Sequence, residues 1–160
     1  MIAHLNVLVD ECIAPRCVEA MNGVLKLSKF PPKIMPLIEF TNQYGVRDKD
    51  WIPQAAQQGF TIISTDLGNR KRGDKLPEIC RQFGVKHILI SQKIHHRGSL
   101  AMALASLGTW ENISEACTNC DSPGFKLRLV VVSGRDEIGP HRHALDRHPK
   151  RPTTMKKPRG

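Results

Sequence analysis

The sequence predicts a three-layer α/β/α sandwich with a mainly parallel sheet of about five strands. Three observations carry this. Short apolar, β-branched runs recur, at Val7-Leu-Val, Phe60-Thr-Ile-Ile, His87-Ile-Leu-Ile and Leu127–Val132. They are mainly apolar, and Phe60-Thr-Ile-Ile in particular is β-branched, as a strand covered on both faces tends to be. Segments of helical periodicity separate them, and strand–helix alternation implies right-handed crossovers with helices on both faces.

Taken in order, Leu5–Val9 is a buried strand that ends in Asp10-Glu11. Pro15 suits a first helical turn. Cys17, Val18, Met21 and Leu25 form that helix's apolar face, and Phe30-Pro31-Pro32 breaks it. A second strand is expected over Lys33–Phe40, at an edge or irregular because of Pro36. Thr41–Arg47 is a polar connection. A helix then carries Trp51, Ile52, Ala55 and Ala56 on one face, with Pro53 expected in its first turn. Asp50 is the better candidate for its cap.

Gly59 turns the chain into a strand over Phe60–Thr65, which feeds Asp66. A loop with the consecutive cations Arg70-Lys71-Arg72 follows. Leu76–Phe83 reads as a helix stopped by Gly84, and Lys86–Ser91 as a fourth strand. His95-His96-Arg97-Gly98 reads as a loop. Ser99 opens a helix through Trp110 or Ile113, with Leu100, Ala103, Leu104 and Leu107 expected inward. Cys117–Gly124 is a turn region, and Phe125–Ser133 the last strand.

The 160 residues are one domain's worth, here 1–133, followed by a basic Pro/His-rich tail over 134–160. No periodicity survives in the tail, which is expected to be disordered. The tail holds 8 Lys/Arg against 3 Asp/Glu, so it supplies +5 of the formal +9. A basic chain is a candidate for polyanion binding. Five scattered cysteines and the lack of a signal-like or membrane-spanning start point to a reducing, cytoplasmic setting. Cys117-x-x-Cys120 has no second pair with which to build a structural zinc site.

Chemistry concentrates where acids meet strand ends. Asp10 and Glu11 follow the first strand, Asp48 and Asp50 open a helix, and Asp66 follows the third strand. Any one of them alone could be a helix cap or a solvated loop residue. Together, crowded carboxylates repel one another unless a cation sits between them. Oxygen-only ligands suit Mg²⁺ or Mn²⁺, and such a metal polarises a phosphodiester. Arg70, Lys71 and Arg72 could hold a phosphate backbone or simply be a solvated loop.

These pieces resemble the PIN-domain ribonucleases, and more narrowly the VapC-type toxins of bacterial toxin–antitoxin modules. The matching stretches are Val7-Leu-Val-Asp10-Glu11, Gly45-Val-Arg-Asp48-Lys-Asp-Trp51 and Gly59-Phe-Thr-Ile-Ile-Ser-Thr-Asp66, from about Leu5 to Ser91. The resemblance implies Mg²⁺-dependent endonuclease action on RNA. Asp10, Asp48 and Asp66 would hold the metal, and Ser64 or Thr65 would orient an acid or water. It also implies a cognate antitoxin as partner and self-pairing as a homodimer. Longer members carry a glutamate on an intervening helix. Glu11 or Glu39 could stand in for it, and Glu11, beside Asp10, is preferred as a catalytic residue.

Two rivals remain. A phospho-receiver domain would use Asp10-Glu11, Asp66 and Ser91, but it wants a lysine after strand five, where this chain has Ser133-Gly134. A catalytically inactive nucleic-acid-binding module would rely on the basic tail.

Overall fold

The fold is that of a computed structural model, which describes residues 4–66, 68, 75–119, 126–132 and 142–147, the last two segments as backbone. The chain runs β1 (Asn6–Val9), α1 (Pro15–Leu25), β2 (Lys33–Pro36), α2 (Leu37–Thr41), α3 (Asp48–Gln57), β3 (Thr61–Ser64), α4 (Leu76–Gln82), β4 (His87–Ile90), α5 (Gln92–His95), α6 (Ser99–Gly108), α7 (Trp110–Asn119), β5 (Lys126–Val132) and β6 (Arg142–Arg147). One sheet has the order β2-β1-β3-β4-β5-β6. All neighbouring pairs are parallel except β5 and β6. The expected mainly parallel α/β/α sandwich is therefore present, with six strands among the described residues where about five were expected.

The two faces of the sheet bury different cores, as the pleat requires. Val7, Val9, Ile63, Ile88 and Ile90 pack with Cys17, Val18 and Met21 of α1 and with Met102, Ala105 and Ile113 of α6 and α7. Leu8 and Ile62 point the other way, into a core with Leu37, Trp51, Ile52, Ala55, Leu76 and Ile79. Strands β3 and β4 are buried at every residue, which explains why they read as unbroken apolar runs. Gly59 adopts a left-handed φ of +72° and closes α3. There the Phe60 N–H donates back to the Ala55 carbonyl, which turns the chain sharply into β3.

The elements depart from expectation at several points, among them residues 117–119, which continue α7 where a turn was expected, and His95, which closes α5 where a loop was expected. The second strand stops at Pro36, and Leu37–Thr41 forms the short helix α2. The apolar run suggested a strand, but Leu37 is buried from a helical turn instead. Helix α3 starts at Asp48, so Pro53 lies inside the helix and not in its first turn. The single helix expected from Ser99 is two, α6 and α7, and its inward face differs. Leu100 and Leu104 are 72% and 57% exposed, while Met102, Ala103, Ala105 and Ser106 are buried. The segment is apolar all round, so apolar spacing could not select the face, and the small residues let α6 lie close on α1. Finally, Arg142–Arg147, within the tail expected to lack regular structure, pairs antiparallel with β5. An outermost strand needs a ladder partner on one side only, so a polar sequence can form it. No helix among the described residues is long and apolar enough to cross a membrane.

Candidate functional site

From β1 the chain crosses to β2 on one side and the sheet continues through β3 on the other. Between β1 and β3 lies the switch point, where open α/β sheets form a crevice at the carboxyl ends of their strands. Two acids sit there. The Asp10 N–H donates to the Ile63 carbonyl at 2.9 Å, which extends the β1–β3 ladder by one residue and holds Asp10 against the end of β3. Asp66 lies two residues beyond Ser64, the last residue of β3. The Asp66 N–H donates to Ser64 Oγ at 3.2 Å, and the Gly68 N–H donates to Asp66 Oδ1 at 2.7 Å.

The Asp10 carboxyl feels both its burial and its neighbours. Burial raises the Asp10 pKa above its ordinary 3.8, and the negative charges of Asp66 and Glu11 raise it further. Hydrogen bonds from the Cys12 thiol and the Glu11 N–H pull the other way without reversing the shift. Cys12, which the sequence reading gave no role here, is the link between the strand ends. Its Sγ donates to Asp10 Oδ2 at 3.0 Å and accepts the Thr65 N–H at 3.3 Å. The residue as a whole is exposed, but its sulfur sits between these partners. There burial and the Asp10 charge push the thiol up to about 12. Cys12 is thus a protonated donor at neutral pH and not a thiolate.

Ser64 and Thr65 are both buried. Ser64 Oγ lies 2.7 Å from His87 Nε2 as well as accepting the Asp66 N–H, so β4 supports the Asp66 backbone through one hydroxyl. The Thr65 carbonyl accepts the Gln92 Nε2–H at 2.7 Å. A histidine inside the apolar strand His87–Ile90 was the available signal for the first of these supports. Gln92 carried no comparable signal.

The remaining acids are placed differently. Asp48 opens α3, and its Oδ1 accepts the Trp51 Nε1–H at 3.2 Å. Trp51 is fully buried, so the indole three residues on fixes the carboxylate's direction. Glu11 is exposed, and its Oε1 accepts the Gly45 N–H at 2.9 Å, tying the connection before α3 to the end of β1. Asp50 does not cap α3. It forms an exposed ion pair with Arg47 at 2.9 Å, and no side chain caps the helix. Among the described residues no group of three or more His, Cys, Asp or Glu is arranged to hold a metal. The charge of Asp66 acts on Asp10, and Asp48 is not gathered with them into such a group. Arg70, Lys71, Arg72 and Cys120 lie outside the described residues, and Cys117 is buried in α7.

Residues 5–92, more than half of the chain, match a family model described as a PIN-like domain. No curated protein and no solved structure matches the chain.

Proposed function

The chain belongs to the PIN-like domain family, a nuclease-type family, and from that premise we propose that it is a cytoplasmic, metal-dependent endoribonuclease. The observation that carries the reading is the carboxylate pair at the β1–β3 switch point, Asp10 raised by burial and by the charge of Asp66. Crowded like charges of this kind favour a bound cation. The oxygen-only pair suits Mg²⁺ or Mn²⁺, which keep several waters and bind through one or two carboxylates plus substrate phosphates. Asp10 and Asp66 would be the protein ligands. Asp48, aimed by Trp51, would act from the neighbouring helix start. The metal would supply Lewis-acid chemistry at a phosphodiester. The chain's own residues do the positioning. Ser64 and Gly68 fix Asp66 from its N–H and its carboxylate, Cys12 fixes Asp10, and Glu11 holds the connection that leads into α3.

Purified protein should cleave single-stranded RNA in Mg²⁺ or Mn²⁺. Asp66→Asn should lower the rate at least about 100-fold, the loss expected when several kcal/mol of charge stabilisation go, and leave the melting temperature near wild type. Undiminished cleavage by that variant would remove Asp66 from the site.

The narrower role is the toxin of a type II toxin–antitoxin pair, acting with a cognate antitoxin and as a homodimer. Expression in a bacterial host should then arrest growth, and a companion protein should relieve the arrest. Growth without arrest would count against the toxin role alone. The sheet order of the first five strands is also one used by phospho-receiver domains. The match to the PIN-like family and the missing lysine after β5 favour the nuclease.

A further inference from the structure

The carboxyl rim of the sheet is divided by charge. The chain leaves β1 at Asp10 and Glu11 and leaves β3 at Asp66. One strand further on, about 5 Å away across the sheet, it leaves β4 into α5 and the turn after it. There Lys93, His95, His96 and Arg97 fall within five residues, and no Asp or Glu occurs between Glu78 and Glu111. Lys93, His96 and Arg97 are exposed, while Ile94 is buried and anchors the turn.

This basic corner is joined to the acid pair. The Gln92 side-chain amide donates to the carbonyl of Thr65, the residue before Asp66, at 2.7 Å. The Oε1 of the same Gln92 lies 3.4 Å from His95 Nδ1, and the His95 ring stacks on His96 at 5.8 Å between centroids. The path from Asp66 to the basic turn thus runs through one residue and one side-chain amide. Acids that work on a phosphodiester and cations that attract its neighbours lie on adjacent strand exits of one rim.

We propose that the α5 turn is the docking surface for the RNA strand beside the scissile position, with Lys93 and Arg97 each holding a backbone phosphate. Its ligand rests on the ribonuclease reading, but its test does not need cleavage. Binding is measured in EDTA with a labelled single-stranded oligoribonucleotide over a series of salt concentrations. The wild type is compared with Lys93→Gln/Arg97→Gln. The control is Lys26→Gln/Lys29→Gln, which removes the same charge from exposed residues between α1 and the amino end of β2.

The Lys93/Arg97 variant should bind at least tenfold more weakly than the control. Its slope of log affinity against log salt should be shallower by about 1.4, roughly 0.7 for each lost contact to a single strand. Equal affinity and slope in the two variants overturns the proposal, and so does a wild type that does not bind the oligoribonucleotide. Cleavage in Mg²⁺ is scored separately. A chain that binds through this turn but does not cleave keeps the inference and loses the ribonuclease reading. A chain that cleaves while the two variants bind alike keeps the reading and loses the inference.

Discussion

At the scale of single residues, Asp10 is held at a cost to stability that the proposed cation site would explain. Burial, and then the charge of Asp66, favour its protonated form, so the folded state binds that proton more tightly than the unfolded chain. Stability therefore falls as pH rises from the ordinary carboxylate value through the raised one, and the full penalty is present above the raised value. Asp10→Asn removes the charge and keeps the shape. It should melt at a higher temperature than wild type at neutral pH, and the difference should vanish in acid, where the wild-type carboxyl is protonated. Mg²⁺ should raise the melting temperature of the wild type by mass action and not that of the variant. Calorimetry over a pH series reads all three effects, and a variant less stable than wild type at neutral pH contradicts the account. Glu11 separates a second pair of roles. A residue that only accepts the Gly45 N–H works as an amide, so Glu11→Gln should keep most of the activity. Glu11→Ala should lose about tenfold, the equivalent of one hydrogen bond to a charged acceptor. Near-equal loss in both variants would instead mark Glu11 as a ligand or a charge at the site. Asp10 and Asp66 are legible in the sequence because each closely follows a buried strand. This role of Glu11 is not legible there, because its partner lies thirty-four residues away and is a backbone amide.

At the scale of elements, α3 shows a local rule overridden by packing. Pro53 sits inside the helix, where it supplies no N–H to the carbonyl one turn back and its ring crowds that turn. The helix persists because Trp51, Ile52 and Ala55 are buried against the sheet. Pro53→Ala should therefore stabilise the protein by up to about 3 kcal/mol, read as a higher urea midpoint. A drop would mean that the proline is needed to seat Trp51, and hence Asp48. The same competition decided which elements were legible. Strands β1, β3 and β4 could be read because both their faces are covered and their centres are apolar, β-branched runs. Helix α1 could be read because polar residues mark its outer face. Helix α6 could not be oriented from Ser99-Leu-Ala-Met-Ala-Leu-Ala-Ser-Leu, because nothing in that run is polar enough to name the solvent side. The burial of Ala103 and Ala105 over Leu100 and Leu104 comes from close approach to α1, a tertiary fact.

At the scale of the whole molecule, the far edge of the sheet lies within the segment that composition alone assigned to a tail. Strand β6 pairs with β5 over six registered positions, from Leu127 with Arg147 to Val132 with Arg142. This ladder shields the edge of Lys-Leu-Arg-Leu-Val-Val-Val, a run of high β propensity. Uncovered, such an edge is a template for pairing with another chain. Truncation after Ser133 should then do two things that removal of an unpaired tail would not. Loss of about 2 kcal/mol of pairing should lower the melting temperature by roughly 5 °C in a chain of this size. The shortened chain should also associate in a concentration-dependent way, seen as growth in apparent mass by light scattering. The site should survive the cut, since Asp10, Asp48, Asp66 and Gln92 all lie on elements before β5. Residual cleavage per folded molecule close to that of the full chain would therefore accompany the loss of stability. An unchanged melting temperature and a monodisperse product would place 134–160 outside the cooperative fold.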